Sequence, residues 1–165
     1  MIEYNCREAC LSDLEELVEM TSLLASETED RALPHDTVKS GIKALIENPP
    51  KTANFKGIIL VAERKPSMRN EDNLLGFLSV AGFEWSEWRN GMFIWLGSAY
   101  VRQEFRKSGV GSVLYRKAKQ YAEQCGAIGL RAYIDKSNSP GEKAHKAVGQ
   151  LQTNYILTEN LFDVK

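Results

Sequence analysis

The chain has no apolar run approaching the ~20 residues that a membrane-spanning helix needs. Its first residues, Met1-Ile2-Glu3-Tyr4-Asn5-Cys6, lack a basic region followed by an apolar core, so no signal peptide is expected. Cysteine is scarce: Cys6, Cys10 and Cys125 are an odd number without CxxC spacing, which reads as reduced thiols in a cytoplasmic protein with no metal site. Neither charge sign dominates. The net charge of −1 gives no bulk electrostatic case for nucleic acid or an anionic membrane. Repeats, low-complexity tracts and linkers are missing too, so residues 1–165 are expected to form one domain. What is present suits that: 43% hydrophobic and 26% charged residues over 165 positions are enough for a buried core.

One stretch stands out against this ordinary background. The apolar run Met92 to Leu96 leads through Tyr100-Val101 into Arg106-Lys107-Ser108-Gly109-Val110-Gly111-Ser112. Val113, Leu114, Ala118, Tyr121, Ala122 and Cys125 then follow at helical spacing. The pattern predicts a strand, a short basic loop and the first turns of an amphipathic helix. Two glycines let backbone turn sharply and come close to a ligand. The open N–H groups of a new helix, with the positive end of its dipole behind them, attract an anion, and Arg106 and Lys107 add full charges. The arrangement suits a pyrophosphate, although a glycine pair also serves a plain strand-to-helix turn. It is not a Walker A loop, because no Gly-Lys-Ser/Thr closes it, and it lacks the third glycine of the dinucleotide fingerprint.

The rest of the chain supplies a consistent element order. Residues 2–7 alternate as a short strand, and Ser12-Asp13-Leu14-Glu15 reads as a capping box opening a helix over about 12–26. Asp36 is expected to cap a second helix that ends before Pro49-Pro50. Strands follow at 57–63, 74–85 and 92–101, with a polar turn over 65–73 and with Gly76 and Gly97 marking a bulge or a close approach. The helix 109–124 ends at Gly126, a strand spans 127–135, and Ser139-Pro140-Gly141-Glu142 reads as a second capping box before a helix over 140–148. A last strand is expected over 151–158. The order β-α-α-β-β-β-α-β-α-β, with a right-handed crossover over 92–135, predicts one α/β domain with a mixed sheet.

The loop resembles the acetyl-CoA loop of the GCN5-related N-acetyltransferases, Arg/Gln-x-x-Gly-x-Gly/Ala after a strand, and the element order resembles that family over most of the chain. A second similarity lies in Tyr133 to Asn138, a strand end followed by asparagine, and in the helix ending at Gly149. Three residues depart from the pattern: Gln103 replaces a frequent proline, Gln150 a phenylalanine, and His145 the usual tyrosine. The resemblance implies a mostly antiparallel sheet with helices on both faces, splayed between its fourth and fifth strands. It also implies acetyl-CoA as cosubstrate. The pantetheine arm would pair with Tyr100 and Val101. Backbone N–H groups of Lys107, Ser108, Gly109, Val110, Gly111 and Ser112 would hold the pyrophosphate, with Arg106 as charge partner and Asn138 on the other side.

The implied activity is transfer of an acetyl group to a primary amine of a small molecule or a protein. His145 stands where the family's proton donor to the departing thiolate stands, and an imidazole can serve as a general acid. Glu84 and Glu87 flank the hairpin expected to border the acceptor, with Tyr133 and Asp135 on the neighbouring strand; Glu84 is taken as the base. Phe83, Trp85, Trp88, Phe93 and Trp95 suit either an acceptor pocket or core and dimer packing. The seven acidic residues between 12 and 30 (Asp13, Glu15, Glu16, Glu19, Glu27, Glu29, Asp30) suit either a solvated face or a cation-attracting surface, in which case a cationic amine is the natural acceptor. The alternative is a coenzyme A-binding sensor or assembly module that has lost catalysis. Exposed strand edges and aromatics make a homodimer plausible.

Overall fold

The apolar run in the first of the three central strands becomes the most thoroughly buried stretch of the sheet: Ile58 to Ala62 are all buried, with Val61 and Ala62 at 0% exposure. In the computed structural model, which describes residues 4–64 and 74–162, five strands lie across one sheet in chain order. They are β1 (Tyr4–Glu8), β2 (Ile58–Arg64), β3 (Leu74–Ser86), β4 (Gly91–Val101) and β5 (Gly129–Ala132). Their first three junctions are antiparallel and β4–β5 is parallel. A parallel pair needs a long crossover, which the helix α3 (Val110–Gln124) provides. Helices α1 (Leu14–Glu29) and α2 (His35–Glu47) precede β2, and α4 (Ser139–Ala147) follows β5. The expected start of β1 at Ile2 and the expected turn over 65–73 lie outside the described residues.

Each face of the sheet carries its own core, as a strand's alternation of side chains requires. On one face Ile58, Leu60, Ala62, Val80, Ile94 and Leu96 pack with Val110, Leu114, Ala118 and Ala122 of α3. On the other, Ile59, Val61, Phe77 and Tyr100 pack with Leu17 and Met20 of α1 and with the inner side of α2. Helices on both faces of a mixed sheet are the expected architecture.

Both marked glycines sit at register breaks. Val80 faces Leu96 and Leu78 faces Ala99, so Ser79 opposes the pair Gly97-Ser98 in a bulge. A Cβ on Gly97 would overlap Ser79 Oγ. Gly76 lies beside the break between Ala62 and Glu63, and a Cβ there would come 2.5 Å from the Tyr100 carbonyl oxygen. The bulge at Gly97 coincides with the end of β4–β5 pairing, which runs only from Phe93/Gly129 to Leu96/Ala132. Beyond it β4 continues to Val101 with Ser98 and Ala99 exposed, so the sheet opens between its fourth and fifth strands.

Several boundaries differ from expectation. The capping box is not Ser12-Glu15. One 3-10 turn, Leu11–Asp13, leads into α1, and the buried Asp13 carboxylate accepts from Cys10 N–H at 2.8 Å and from Arg7 Nη1 at 2.7 Å. Asp36 does not cap α2; Pro34 holds that position, fixed at φ −62, and Asp36 lies in the first turn, where its charge favours the helix dipole. Asn138, not Ser139, caps α4, its Oδ1 accepting from Gly141 N–H at 2.9 Å. The strand expected over 127–135 is cut to four residues, because Asp135 draws the chain into a turn by accepting from Ser137 N–H at 2.8 Å. The last expected strand does not form. A strand persists only within a ladder, and residues 151–162 find no pairing partner among the described residues, leaving Tyr155, Ile156 and Leu157 exposed.

Candidate cofactor site

After Val101 the chain makes one 3-10 turn, Gln103–Phe105, whose Phe105 is buried in the α3-side core and anchors the loop. Lys107 then takes φ 62 and Gly109 φ 94, and these two left-handed residues swing the backbone into α3. Glycine is needed at 109, since φ there lies in the left-handed region and a Cβ would stand 3.0 Å from the Tyr4 hydroxyl. Gly111 is different. A Cβ there would meet only Val101 Cγ2 at 3.8 Å, so internal packing does not require glycine and its absent side chain leaves the first helical turn uncovered. The first N–H of this region with a backbone acceptor is that of Val113, on the Gly109 carbonyl at 3.1 Å. Ahead of it, the N–H groups from Lys107 to Ser112 have no acceptor among the described residues.

Arg106 stands at the mouth of this run. Its Nε donates to the Val101 carbonyl at 2.9 Å, its Nη2 donates to Glu27 at 2.6 Å, and its guanidinium lies 5.2 Å from the centre of the Tyr100 ring. Tyr100 Oη donates to the other Glu27 oxygen at 2.6 Å. Partial burial works against the Glu27 charge, but the bonds from Tyr100 and Arg106 outweigh it and hold this carboxyl below its usual range. Burial, followed by the neighbouring Glu27, pushes the Tyr100 phenol up to about 12. Next to Glu27, the Thr28 carbonyl accepts from Ser137 Oγ at 3.2 Å, one residue before Asn138. The last turn of α1 thereby draws together Tyr100, Val101 and Arg106 on one side and the approach to Asn138 on the other.

The two residues expected to handle protons have partners of their own. Glu84 on β3 accepts from Arg131 Nη1 at 2.5 Å and from the Trp95 indole at 3.1 Å. The bond from Arg131 is the main reason that its carboxyl lies below the ordinary range. His145, in the last turn of α4, contacts the Gln150 side chain through Nδ1. Neither touches the loop.

The family model described as "Acetyltransferase (GNAT) family" matches residues 23–149, which takes in β2 to β5, α2 to α4 and the loop. The chain belongs to the GNAT acetyltransferases. A search of curated proteins finds no match. Among solved structures, a possible acetyltransferase from Clostridium difficile 630 is 27% identical at TM-score 0.79, covering 98% of this chain and 99% of that one. An aminoglycoside N-acetyltransferase, AAC(6')-Iy, in complex with coenzyme A is 15% identical at TM-score 0.75, covering 98% of this chain and 96% of that one. The same enzyme with the bisubstrate analogue CoA-S-monomethyl-acetylneamine gives TM-score 0.73 at 15% identity, covering 97% and 99%. Acetyl-CoA is the GNAT cosubstrate, and this chain fits it: a row of open N–H donors for phosphate, an uncovered helix turn at Gly111, and an open β4 margin.

Sequence reasoning missed two features of this GNAT domain. One is Glu27, which was counted only as part of an acidic segment. Five members of that segment are paired with cations of the same chain: Asp13 with Arg7, Glu15 with Lys39, Glu16 and Glu19 with Arg102, and Glu27 with Arg106. The other is a cavity of about 120 Å³ on the α1–α2 side of the sheet, lined by Leu17, Thr21, Gly41, Phe77, Ser79 and Ser98 among others. Its signals were small or hydroxylated residues inside apolar runs. Of the aromatics that suit either a pocket or packing, Phe93 and Trp95 meet at the Glu84–Arg131 pair, with the Arg131 guanidinium 4.0 Å from the centre of the Phe93 ring and the Trp95 indole donating to Glu84. Phe83 stacks edge-on against Phe55 at 5.7 Å, Trp95 packs against Tyr133, and Trp85 and Trp88 are exposed at the hairpin tip.

Proposed function

We propose that the protein is an acetyl-CoA-dependent N-acetyltransferase acting on a primary amine of a small molecule or a protein. The observation that carries this reading is the uninterrupted run of open N–H groups from Lys107 to Ser112, set beside Arg106 and the open margin of β4. In this reading those N–H groups and Arg106 hold the pyrophosphate, Asn138 closes on it from the α4 side, and Tyr100 and Val101 align the pantetheine arm. Bound acetyl-CoA supplies an acyl group activated as a thioester.

The chain's own residues must then bind the amine, take its proton and stabilise charge. Backbone N–H groups of β4 past the bulge, which β5 leaves unpaired, are the donors for the developing oxyanion. Glu84 is ionised and receives the amine's proton through water, its tie to Arg131 keeping it a weak base that releases the proton readily. His145 donates to the departing thiolate, whose ordinary pKa of about 8.5 makes this assistance modest. The exposed Trp85 and Trp88 support a second copy of the chain as a partner, which sedimentation at several concentrations tests.

Calorimetric titration with acetyl-CoA, beside an Arg106→Ala, Gly109→Trp double variant, is the direct test. Binding by the native protein alone supports the loop assignment; binding by neither overturns it. Thiol release across a panel of amines then separates transfer from a coenzyme A-binding module without turnover. That second reading draws on Glu84 and His145 being engaged by Arg131 and Gln150.

A further inference from the structure

The cavity on the α1–α2 side has no role in the account above. Leu17, Ile59 and Phe77 are buried and line the inner side of this half-open cavity, while Gly41 and Ser98 are exposed and stand at its rim. Its volume of about 120 Å³ far exceeds the ~10–15 Å³ that admits one water, and leaves room for a chain of several carbons. Among the described residues no charged side chain lines it, and the only side-chain polar groups there are the hydroxyls of Thr21, Ser79 and Ser98. The nearby carboxylates of α1 do not reach in, because Glu16 and Glu19 are held by Arg102, and Glu27 by Arg106 and Tyr100.

Its position gives it a use. Ser98 belongs to the bulge at which β5 leaves β4. The helix α3 packs on one face of the sheet and the cavity lies on the other, with Ser98 at its rim two residues past Leu96, where β4–β5 pairing ends. We infer that the cavity receives a short uncharged aliphatic chain, carried to the point of transfer either by the acyl group of the donor or by the acceptor amine. Its placement at the point of transfer rests on the acetyltransferase reading above; its chemistry rests on the lining alone. A charged group would lose its hydration there with nothing to compensate it.

Two ligand series distinguish the sources, each run on the native protein and on Gly41→Leu. Gly41 is an exposed residue of α2 lining the cavity, and a Cβ on it meets nothing within 4 Å, so a leucine there can cover the opening without a clash, and replacing a helical glycine favours α2. The first series is acetyl-, propionyl-, butyryl- and hexanoyl-CoA by calorimetry. The second is ethyl- to hexylamine without any thioester, by thermal shift. Affinity should rise about threefold to fourfold per methylene over the first few carbons in at least one series. Gly41→Leu should abolish that rise while its own melting temperature holds or increases. Flat or falling series in both arms, or an undiminished rise in Gly41→Leu, would overturn the inference. If no thioester binds but alkylamines stabilise the native protein alone, the cavity assignment stands and the acetyl-transfer reading falls. If thioesters bind and neither series rises, the reverse holds.

Discussion

Asp13 shows how much one side chain can fix. It is 6% exposed, accepts from the Cys10 backbone, and forms a two-pronged pair with Arg7, whose guanidinium also reaches Glu63 on β2. Burial opposes its charge, but the Arg7 bonds prevail and keep its pKa below the ordinary range. A carboxyl depressed in the folded state stabilises the fold above its unfolded pKa of about 3.9, and that contribution is lost as pH falls through the folded value. Asp13→Asn should therefore cost about 1–3 kcal/mol in urea unfolding at pH 7 and should flatten the acid limb of the stability curve. A steep acid limb unchanged in the variant would assign it to other carboxyls. Two glycines of one loop make a sharper contrast. Gly109→Ala forces a left-handed alanine and should lower stability by about 1–3 kcal/mol. Gly111→Ala should leave the free protein unchanged or up to about 1 kcal/mol more stable. Thermal melts decide both.

At the level of elements, the bulge in β4 depends on a mutual fit. A Cβ on Gly97 overlaps Ser79 Oγ but lies 3.7 Å from Ser79 Cβ. Gly97→Ala should thus cost about 1–3 kcal/mol, and Ser79→Ala in the same chain should recover most of it, a coupling that a double-mutant cycle measures. Additive losses would show that the bulge tolerates the methyl by another route. Much of this architecture was legible. The apolar run of β2, the amphipathic spacing of α3, and the glycines at 76, 97, 109 and 126 all report local constraints that a sequence carries directly. Caps were harder. Ser12, Asp36 and Ser139 each have the right chemistry, yet Asp13 and Asn138 make the bonds, because the winner is set by where the preceding strand or turn delivers the chain. The strand expected over 151–158 shows the same weakness. Its residues favour a strand, but pairing is a property of two segments, and only one was visible.

For the whole molecule, no helix among the described residues is long and apolar enough to cross a membrane. The candidate cofactor loop was readable because the residues proposed to hold the anion, Arg106 to Ser112, are contiguous. The cavity and the Glu27 contact were not, because each gathers residues from elements far apart in the chain, with Glu27 and Arg106 separated by 79 positions. The margin of β4 past Leu96 has a further consequence. A strand edge left without a neighbour is a template that any extended chain can join, including the wrong one. If the pantetheine arm lies along Tyr100 and Val101 as proposed, acetyl-CoA would act as a guard as well as a reactant, occupying the position where a stray strand would otherwise add. Amide hydrogens of residues 97–101 that face this margin should exchange quickly in the free protein and slow at least tenfold at saturation with a coenzyme A thioester, and light scattering on mild heating should fall in parallel. Exchange unchanged on binding would mean that the ligand does not lie along this strand. For a GNAT protein, solubility under stress would then follow the supply of its own cosubstrate.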